Sequence, residues 1–265
     1  MIENEDVTIL VSTCDSFYDL WANNKKLFDK FWPGHPKMIY FSDSNTHDSN
    51  FDMITFDNLE FSSRLKKALD NITTKYIFLT LDDYLLDDFV DVDSFNFCLN
   101  FLEKNNADYF RFFKRTKVKG NYVDKIHKIK RLPLTKKAYE INLYPSIWKV
   151  ESLRKIINKE ENIWKFEARM TRRAREQGLI AFATYETHVF HFVDTIRKGK
   201  YLRKAYRFLK KQNLYISNRK KRTIIETIVL DLRTFCSRRL PKRIKNFLKK
   251  QSGKMYYSDY AEGDD

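Results

Sequence analysis

Two adjacent carboxylates, Asp82 and Asp83, close an apolar run in the segment YIFLTLDDYLL. Carboxylates at the end of a buried strand can hold a hard divalent cation, and the cation in turn can neutralise a diphosphate. The same pair can also serve as a strand-end turn that caps the next segment. Thr13 and Asp15 lie just past the run VTILVS, and Asp43 follows KMIYFS. A carboxylate in such a place can accept from ribose hydroxyls or a base N–H, and it can equally cap a helix. Arg64 and Lys67 precede the acidic run, where a cation could meet Asp82 or a phosphate, or simply face solvent. Glu167, in NIWKFEARM, is expected at or near the start of a helix. Its aromatic neighbours Trp164 and Phe166 could raise its pKa, as a general base requires. It could also be only a favourable acid at a helix N-terminus. His188 and His191 flank a strand-like Val-Phe pair. A three-residue separation cannot put both on one face of a regular strand, so His191 is the single ligand candidate. Arg197, Lys198 and Lys200 surround Gly199. Positive charge there either stabilises a diphosphate leaving group or opens a basic tail.

The elements that must position these residues are legible as an alternation. Val7–Thr13, Lys37–Ser42, 51–56, Lys75–Leu81 and 108–113 read as strands; Phe17–Phe31, Phe61–Leu69 and Phe89–Lys104 read as helices. Such alternation indicates an α/β fold with a mostly parallel sheet and helices on both faces. Ligands in such folds bind beyond the carboxyl ends of the strands, where Thr13–Asp15, Asp43 and Asp82-Asp83 all fall. Residues 114–140 are basic and irregular. A short helix is expected around Ser152–Ile157, a longer one over Trp164–Gln177 that Gly178 stops, and a last strand at Leu179–Tyr185. From about residue 200 the pattern is helical, with an apolar stripe of Ile224, Ile225, Ile228, Val229, Leu232 and Phe235. Pro241 suits the first turn of a further helix.

Charge divides the chain in the same place. Its 265 residues carry a net +15. Residues 1–196 hold 29 basic and 29 acidic side chains, residues 197–254 hold 21 basic side chains against Glu226 and Asp231, and the last eleven residues add four acids. A neutral body thus carries a basic helical tail, and such tails seek anionic surfaces. Hydrophobic residues at 43% support a sizeable core. No apolar run reaches the length of a membrane span, and the N-terminus has no signal-peptide pattern. Cys14, Cys98 and Cys236 are far apart, which argues against a disulfide framework or a cysteine zinc site and fits a reducing cytosol. Walker-type, dinucleotide-binding, GxSxG and HExxH motifs are all missing.

With these residues in view, residues 5–205 resemble bacterial glycosyltransferases of the GT-A fold, of the kind that build capsule, O-antigen or other surface polysaccharides. The matching pieces are VSTCDSFYDLW, RLKKAL, LTLDDYLL as a DxD-like motif, NLYPSIWKVESL with NIWKFE, and HVFHFVDTIRKGK. The resemblance implies a GT-A-like Rossmann-type sandwich over residues 1–200, followed by a basic amphipathic helical region over 201–265. It implies transfer of a sugar from a nucleotide-diphosphate donor, most simply a UDP-sugar, to a glycan or lipid-linked acceptor, with Mn²⁺ or Mg²⁺. The donor would be held by Thr13, Asp15, Asp43, Arg64, Asp82, Asp83, Arg197 and Lys200, and the metal by Asp83 and His191. Glu167 would be the base of an inverting reaction. The motif here is Leu-Asp-Asp and not a spaced Asp-x-Asp, so Asp83 is placed on the metal and Asp82 nearer the sugar and ribose. The expected location is the cytoplasm, peripheral on the anionic inner face of the cell membrane, with a homo-oligomer possible in principle and no nucleic acid expected. Two other functions fit less of the sequence: a metal-dependent nucleic-acid enzyme that grips phosphates with the tail, and a non-enzymatic membrane scaffold.

Overall fold

The computed structural model describes residues 6–44, 46, 51–112, 121–135, 138–158, 160–185 and 189–239, with only the backbone described beyond 232. His188, the Phe235 side chain, the expected helix from Pro241 and residues 114–120 and 136–137 of the basic stretch lie outside these residues or this description.

The first strand, β1 (Val7–Ser12), is buried along its whole length, and β4 (Tyr76–Leu81) nearly so. Both are continuous apolar runs, the pattern of parallel strands covered on two faces. They pair in parallel with Ser12 opposite Leu81, and β1 also pairs with β2 (Met38–Ser42), with Ser12 opposite Phe41. β3 (Met53–Thr55) extends this edge and is shorter than the expected 51–56.

The other half of the sheet is mixed. β6 (Tyr109–Arg111) and β9 (Ala181–Thr184) run parallel to each other, while β8 (Ser146–Lys149) is inserted antiparallel between β4 and β6, and β7 (Ile129–Arg131) closes the far edge antiparallel to β9. The full order is β3-β2-β1-β4-β8-β6-β9-β7. The α/β, mostly parallel architecture expected from the alternation is therefore present.

Side-chain alternation along β1 and β4 feeds two cores. Val7, Ile9, Val11, Tyr76 and Phe78 join one, and Leu10, Ile77 and Leu79 join the other. The first core is covered by α1 (Tyr18–Phe31), α3 (Val92–Lys104) and α6 (Arg203–Lys211); the second by α2 (Phe61–Asp70), α4 (Val150–Lys155) and α5 (Ile163–Glu176). Beneath β4 the first core is aromatic: Phe78 stacks on Phe190 at 4.8 Å, and Trp32 meets Phe95 edge-on at 4.8 Å. Each such pair contributes about 0.5–1.5 kcal/mol beyond area burial. α3 begins at Val92 and not at Phe89, because the Asp91 carboxylate accepts from Ser94 N–H at 3.0 Å and caps it there.

Two small ladders complete the fold. β5 (Tyr84–Leu86) pairs antiparallel with β10 (Phe192–Asp194), and β11 (Ile196–Arg197) with β12 (Lys200–Tyr201). Lys198 and Gly199 join β11 to β12 with φ of 53° and 69°, the left-handed pair of a two-residue hairpin turn.

Of the region expected as a basic extension, α6 buries Ala205 and Leu209 in the first core. The strap after it is tied to the start of α1, where Arg219 reaches Asp19 through two 2.7 Å contacts. α7 (Ile224–Arg239) stands off, with Ile224, Ile225, Ile228, Val229 and Leu232 exposed.

Candidate functional site

The strand register sets Thr13, Asp43 and Asp82-Asp83 in a row at the carboxyl ends of β1, β2 and β4. Thr13, Asp82 and Asp83, together with Arg64 and Trp164, border a cleft of about 540 Å³ whose walls also include Ser12, Phe17 and Glu60, while Asp43 stands behind it, paired with Arg64. That volume is in the range of small-molecule sites.

The two aspartates have different surroundings. Asp82 is buried, and its carboxylate accepts from the Thr13 hydroxyl, which itself accepts from Trp21 Nε1–H at 2.6 Å. Asn24 Nδ2 donates to the Asp82 carbonyl at 3.2 Å, and Tyr40 O–H donates to Asn24 Oδ1 at 2.8 Å. Asp82 is thus locked from below by three elements. Burial, reinforced by the charge of Asp83, pushes its pKa well above the usual carboxylate range. Asp83 instead has a buried Oδ1 with no hydrogen-bond partner among the described residues. Burial and then the charge of Asp194 raise its pKa to about 7, with Arg197 opposing.

Asp194 is the functional candidate that the residue types alone did not single out. It ends β10 opposite Tyr84, and the next residue's N–H, on Thr195, donates to the Asp83 carbonyl at 3.0 Å. Burial raises its pKa too, against the Arg197 guanidinium 3.1 Å away. Its signal in the sequence is the same as that of Asp82-Asp83, an acid closing an aromatic-rich strand, here FHFVD.

His191 lies at the other end of this ladder. Its carbonyl accepts from Asp87 N–H at 3.0 Å, and Asp194 is the third residue after it along the strand. The backbone register therefore places Asp194 next to the Asp83 end of this ladder and His191 next to its Asp87 end. Among the described residues no group of three or more His, Cys, Asp or Glu is placed to hold a metal ion. Asp83 and Asp194 alone offer hard oxygen donors of the kind Mg²⁺ or Mn²⁺ uses alongside phosphate and water. The buried, unpartnered Asp83 Oδ1, with a second acid close enough to raise its pKa, fits such a cation.

The remaining candidates divide into loop-holding and cleft-facing groups. Asp43 accepts from Asp15 N–H at 2.8 Å and Ser44 N–H at 3.0 Å, and pairs with Arg64 at 3.6 Å. The Asp15 carboxylate accepts from the N–H and hydroxyl of Thr46. These acids pin the two loops against each other. Arg64 borders the cleft, with its Nε buried and unpartnered among the described residues. Lys200 turns to Glu226 at 2.5 Å, toward α7.

Glu167 sits in the second turn of α5, which Asn162 caps by accepting from Lys165 N–H at 3.0 Å. Its carboxylate accepts from Leu143 N–H at 3.3 Å. Of the two aromatic neighbours, Phe166 is buried against Phe61 in the second core, while Trp164 is half exposed and borders the cleft. Glu167 is placed one helical turn from Trp164, outside the cleft lining.

No protein-family model and no curated protein sequence matches the chain. Among solved structures it is similar to the mannosyltransferase PcManGT from Pyrobaculum calidifontis, in complex with GDP-Man and Mn²⁺, at 14% identity over 73% of this chain and 58% of that one, with a TM-score of 0.49. It is similar to S. aureus TarS 1-349, in complex with UDP-GlcNAc, at 13% identity over 80% and 62%, TM-score 0.49. A cytidylyltransferase from Leptospira borgpetersenii matches at 11% identity over 87% and 95%, TM-score 0.47. The chain spans less than two thirds of the first two proteins. The first two are seen with nucleotide sugars bound.

Proposed function

We propose that the protein is a nucleotide-diphosphate-sugar-dependent glycosyltransferase of GT-A type. The observation that supports it is the cleft at the strand ends, into which Asp83 brings a buried Oδ1 without a hydrogen-bond partner among the described residues, with the charge of Asp194 close enough to raise its pKa. The loops of Thr13, Asp15 and Asp43 would take the nucleoside, with Phe17 and Trp164 near the base. Asp82 holds the β4 end rigid. Asp83 and Asp194 would hold Mn²⁺ or Mg²⁺, which when bound supplies charge neutralisation for the diphosphate. Arg64 and Arg197 would meet the charge that develops as the diphosphate leaves.

Glu167 is assigned the acceptor-side role. Glu167, one helical turn beyond Trp164, would take the proton of the attacking acceptor hydroxyl as the nucleoside diphosphate leaves, with inversion at the sugar. Residues 1–200 would supply this machinery, and the basic region after them, with α6 and α7, would place the enzyme on an anionic membrane surface. Synthesis of a bacterial surface polysaccharide on a glycan or lipid-linked acceptor suits that arrangement. Among the described residues no helix is long and apolar enough to cross a membrane.

Hydrolysis of a panel of nucleotide sugars, with and without Mn²⁺ or Mg²⁺, tests the assignment. Slow metal-dependent release of one nucleoside diphosphate supports it. Metal-dependent cleavage of nucleic acid, or no turnover and no nucleotide binding, would favour the nucleic-acid enzyme or the scaffold.

A further inference from the structure

A groove of about 610 Å³ runs between α6 and α7, with Asp194 and Arg197 in its wall. A smaller hollow of about 300 Å³ adjoins it and shares Arg197 and Leu230 with it. Seven basic side chains line the two, against the acids Asp194, Glu226 and Asp231. Several of these bases are uncommitted. Arg222 is nine-tenths buried, donates to the Arg197 carbonyl at 3.1 Å, and has a buried Nε with no partner among the described residues. Arg203 and Arg207 donate only to backbone carbonyls, at 3.5 and 3.4 Å. No carboxylate pairs with any of these three among the described residues. A desolvated guanidinium with open donors matches a phosphate, which accepts in the same fork geometry.

The rest of the wall is apolar. Leu202, Ile224 and Ile228 border the groove, and the adjoining face of α7 exposes Ile225 at 73% and Leu232 at 56%. Free inorganic phosphate would use the arginines and leave these side chains in water. A phosphate carrying an acyl or prenyl chain uses both, and charge complementarity favours it over a second copy of this basic chain.

We propose that this groove binds the phosphate headgroup of a membrane lipid, with α7 laid into the bilayer surface, and that the lipid phosphate carries the acceptor. The groove includes Asp194, whose charge reaches Asp83, so a headgroup seated at that end would lie toward the donor cleft. The acceptor part of the inference rests on the glycosyltransferase assignment, but the lipid-phosphate site itself does not.

The test uses the full chain and vesicles of phosphatidylcholine with or without about one fifth phosphatidic acid. Inorganic phosphate and dodecyl phosphate serve as headgroup-only and chain-bearing probes, and dodecyl maltoside as the neutral chain. Co-sedimentation should require phosphatidic acid, and dodecyl phosphate should bind far more tightly than phosphate or the maltoside. The double variant Arg203→Ser, Arg207→Ser should weaken vesicle binding about 30-fold, from about 1 kcal/mol for each base near an anionic surface. Ile228→Asp should weaken it comparably, while both variants keep the wild-type circular dichroism and affinity for UDP with Mn²⁺. Equal binding to vesicles without phosphatidic acid, or phosphate matching dodecyl phosphate, would overturn the lipid site. So would a concentration-dependent dimer that Ile228→Asp dissolves in the absence of vesicle binding. If vesicles bind and UDP does not, the lipid site stands and the donor assignment falls; if UDP binds and vesicles do not, the reverse holds.

Discussion

Replacing Asp83 with Asn removes a charge that the folded protein holds at a cost when no cation is present. The Asp83 carboxyl is raised from 3.8 to about 7 by burial and by Asp194. The folded state therefore keeps a proton that the unfolded state has lost across that window. Stability contributed by this group is present at acid pH and is lost as pH rises from about 4 through 7. At about 1.4 kcal/mol for each pH step, the full loss is on the order of 4 kcal/mol at pH 8. Asn keeps the shape and cannot ionise. In EDTA at pH 8 the variant should be more stable than wild type, by roughly 6–12 °C in Tm for a chain of this size. At pH 4.5 the difference should shrink to about 1 kcal/mol. Urea or thermal unfolding at several pH values, followed by circular dichroism, measures it. Adding Mn²⁺ at pH 8 should raise the wild-type Tm and leave the variant where it was. A variant equally or less stable at pH 8, or a gap that does not change with pH, would refute the reasoning.

Other substitutions separate the remaining roles. Glu167→Gln should lower kcat by about 10²–10⁴-fold with donor KM nearly unchanged; near wild-type kcat would remove Glu167 as the base. Thr13→Val leaves Trp21 Nε1 and the buried Asp82 carboxylate without their shared partner. It should cost about 1–3 kcal/mol in urea unfolding for each unsatisfied group, and no measurable loss would show that water replaces the hydroxyl. Asp19→Ala breaks the pair that anchors the strap, in which Arg219 and Ser217 hold the Asp19 carboxyl below its usual range in spite of burial. Loss of one partner of a buried pair costs about 3–5 kcal/mol, and limited proteolysis should open first near residues 212–222. In wild type this contribution disappears as pH falls through the lowered Asp19 pKa.

The parallel half of the sheet was legible because its strands are buried on both faces and read as unbroken apolar runs, as VTILVS and YIFLTL do. The positions of Thr13, Asp43 and Asp82-Asp83 followed directly from where those runs end. The antiparallel β8 was not legible. Ser146–Lys149 is four residues long, sits between the polar Asn142–Tyr144 turn and α4, and gains its strand identity only from pairing with β4 and β6. Asp194 was missed for a related reason. β10 is three residues long, and its neighbour β5 is about a hundred residues earlier, so the contact with Asp83 is set by tertiary pairing alone. The two histidines drew attention in its place because their residue type is more suggestive than an aspartate at a strand end. The apolar stripe of the tail was visible as periodicity, but period alone could not say that α6 packs inward while α7 leaves its isoleucines exposed.

Isothermal titration of the wild-type protein with the nucleotide sugar selected by the hydrolysis panel, in Mn²⁺ and then in EDTA, tests the central claim most directly when repeated with Asp83→Ala and Asp194→Ala. Saturable binding in Mn²⁺ that collapses in EDTA, and is lost in both variants while their folds persist, is the predicted result. Binding that is unchanged by EDTA, or that survives both substitutions, would contradict the assignment of Asp83 and Asp194 as the metal-holding pair of a donor site.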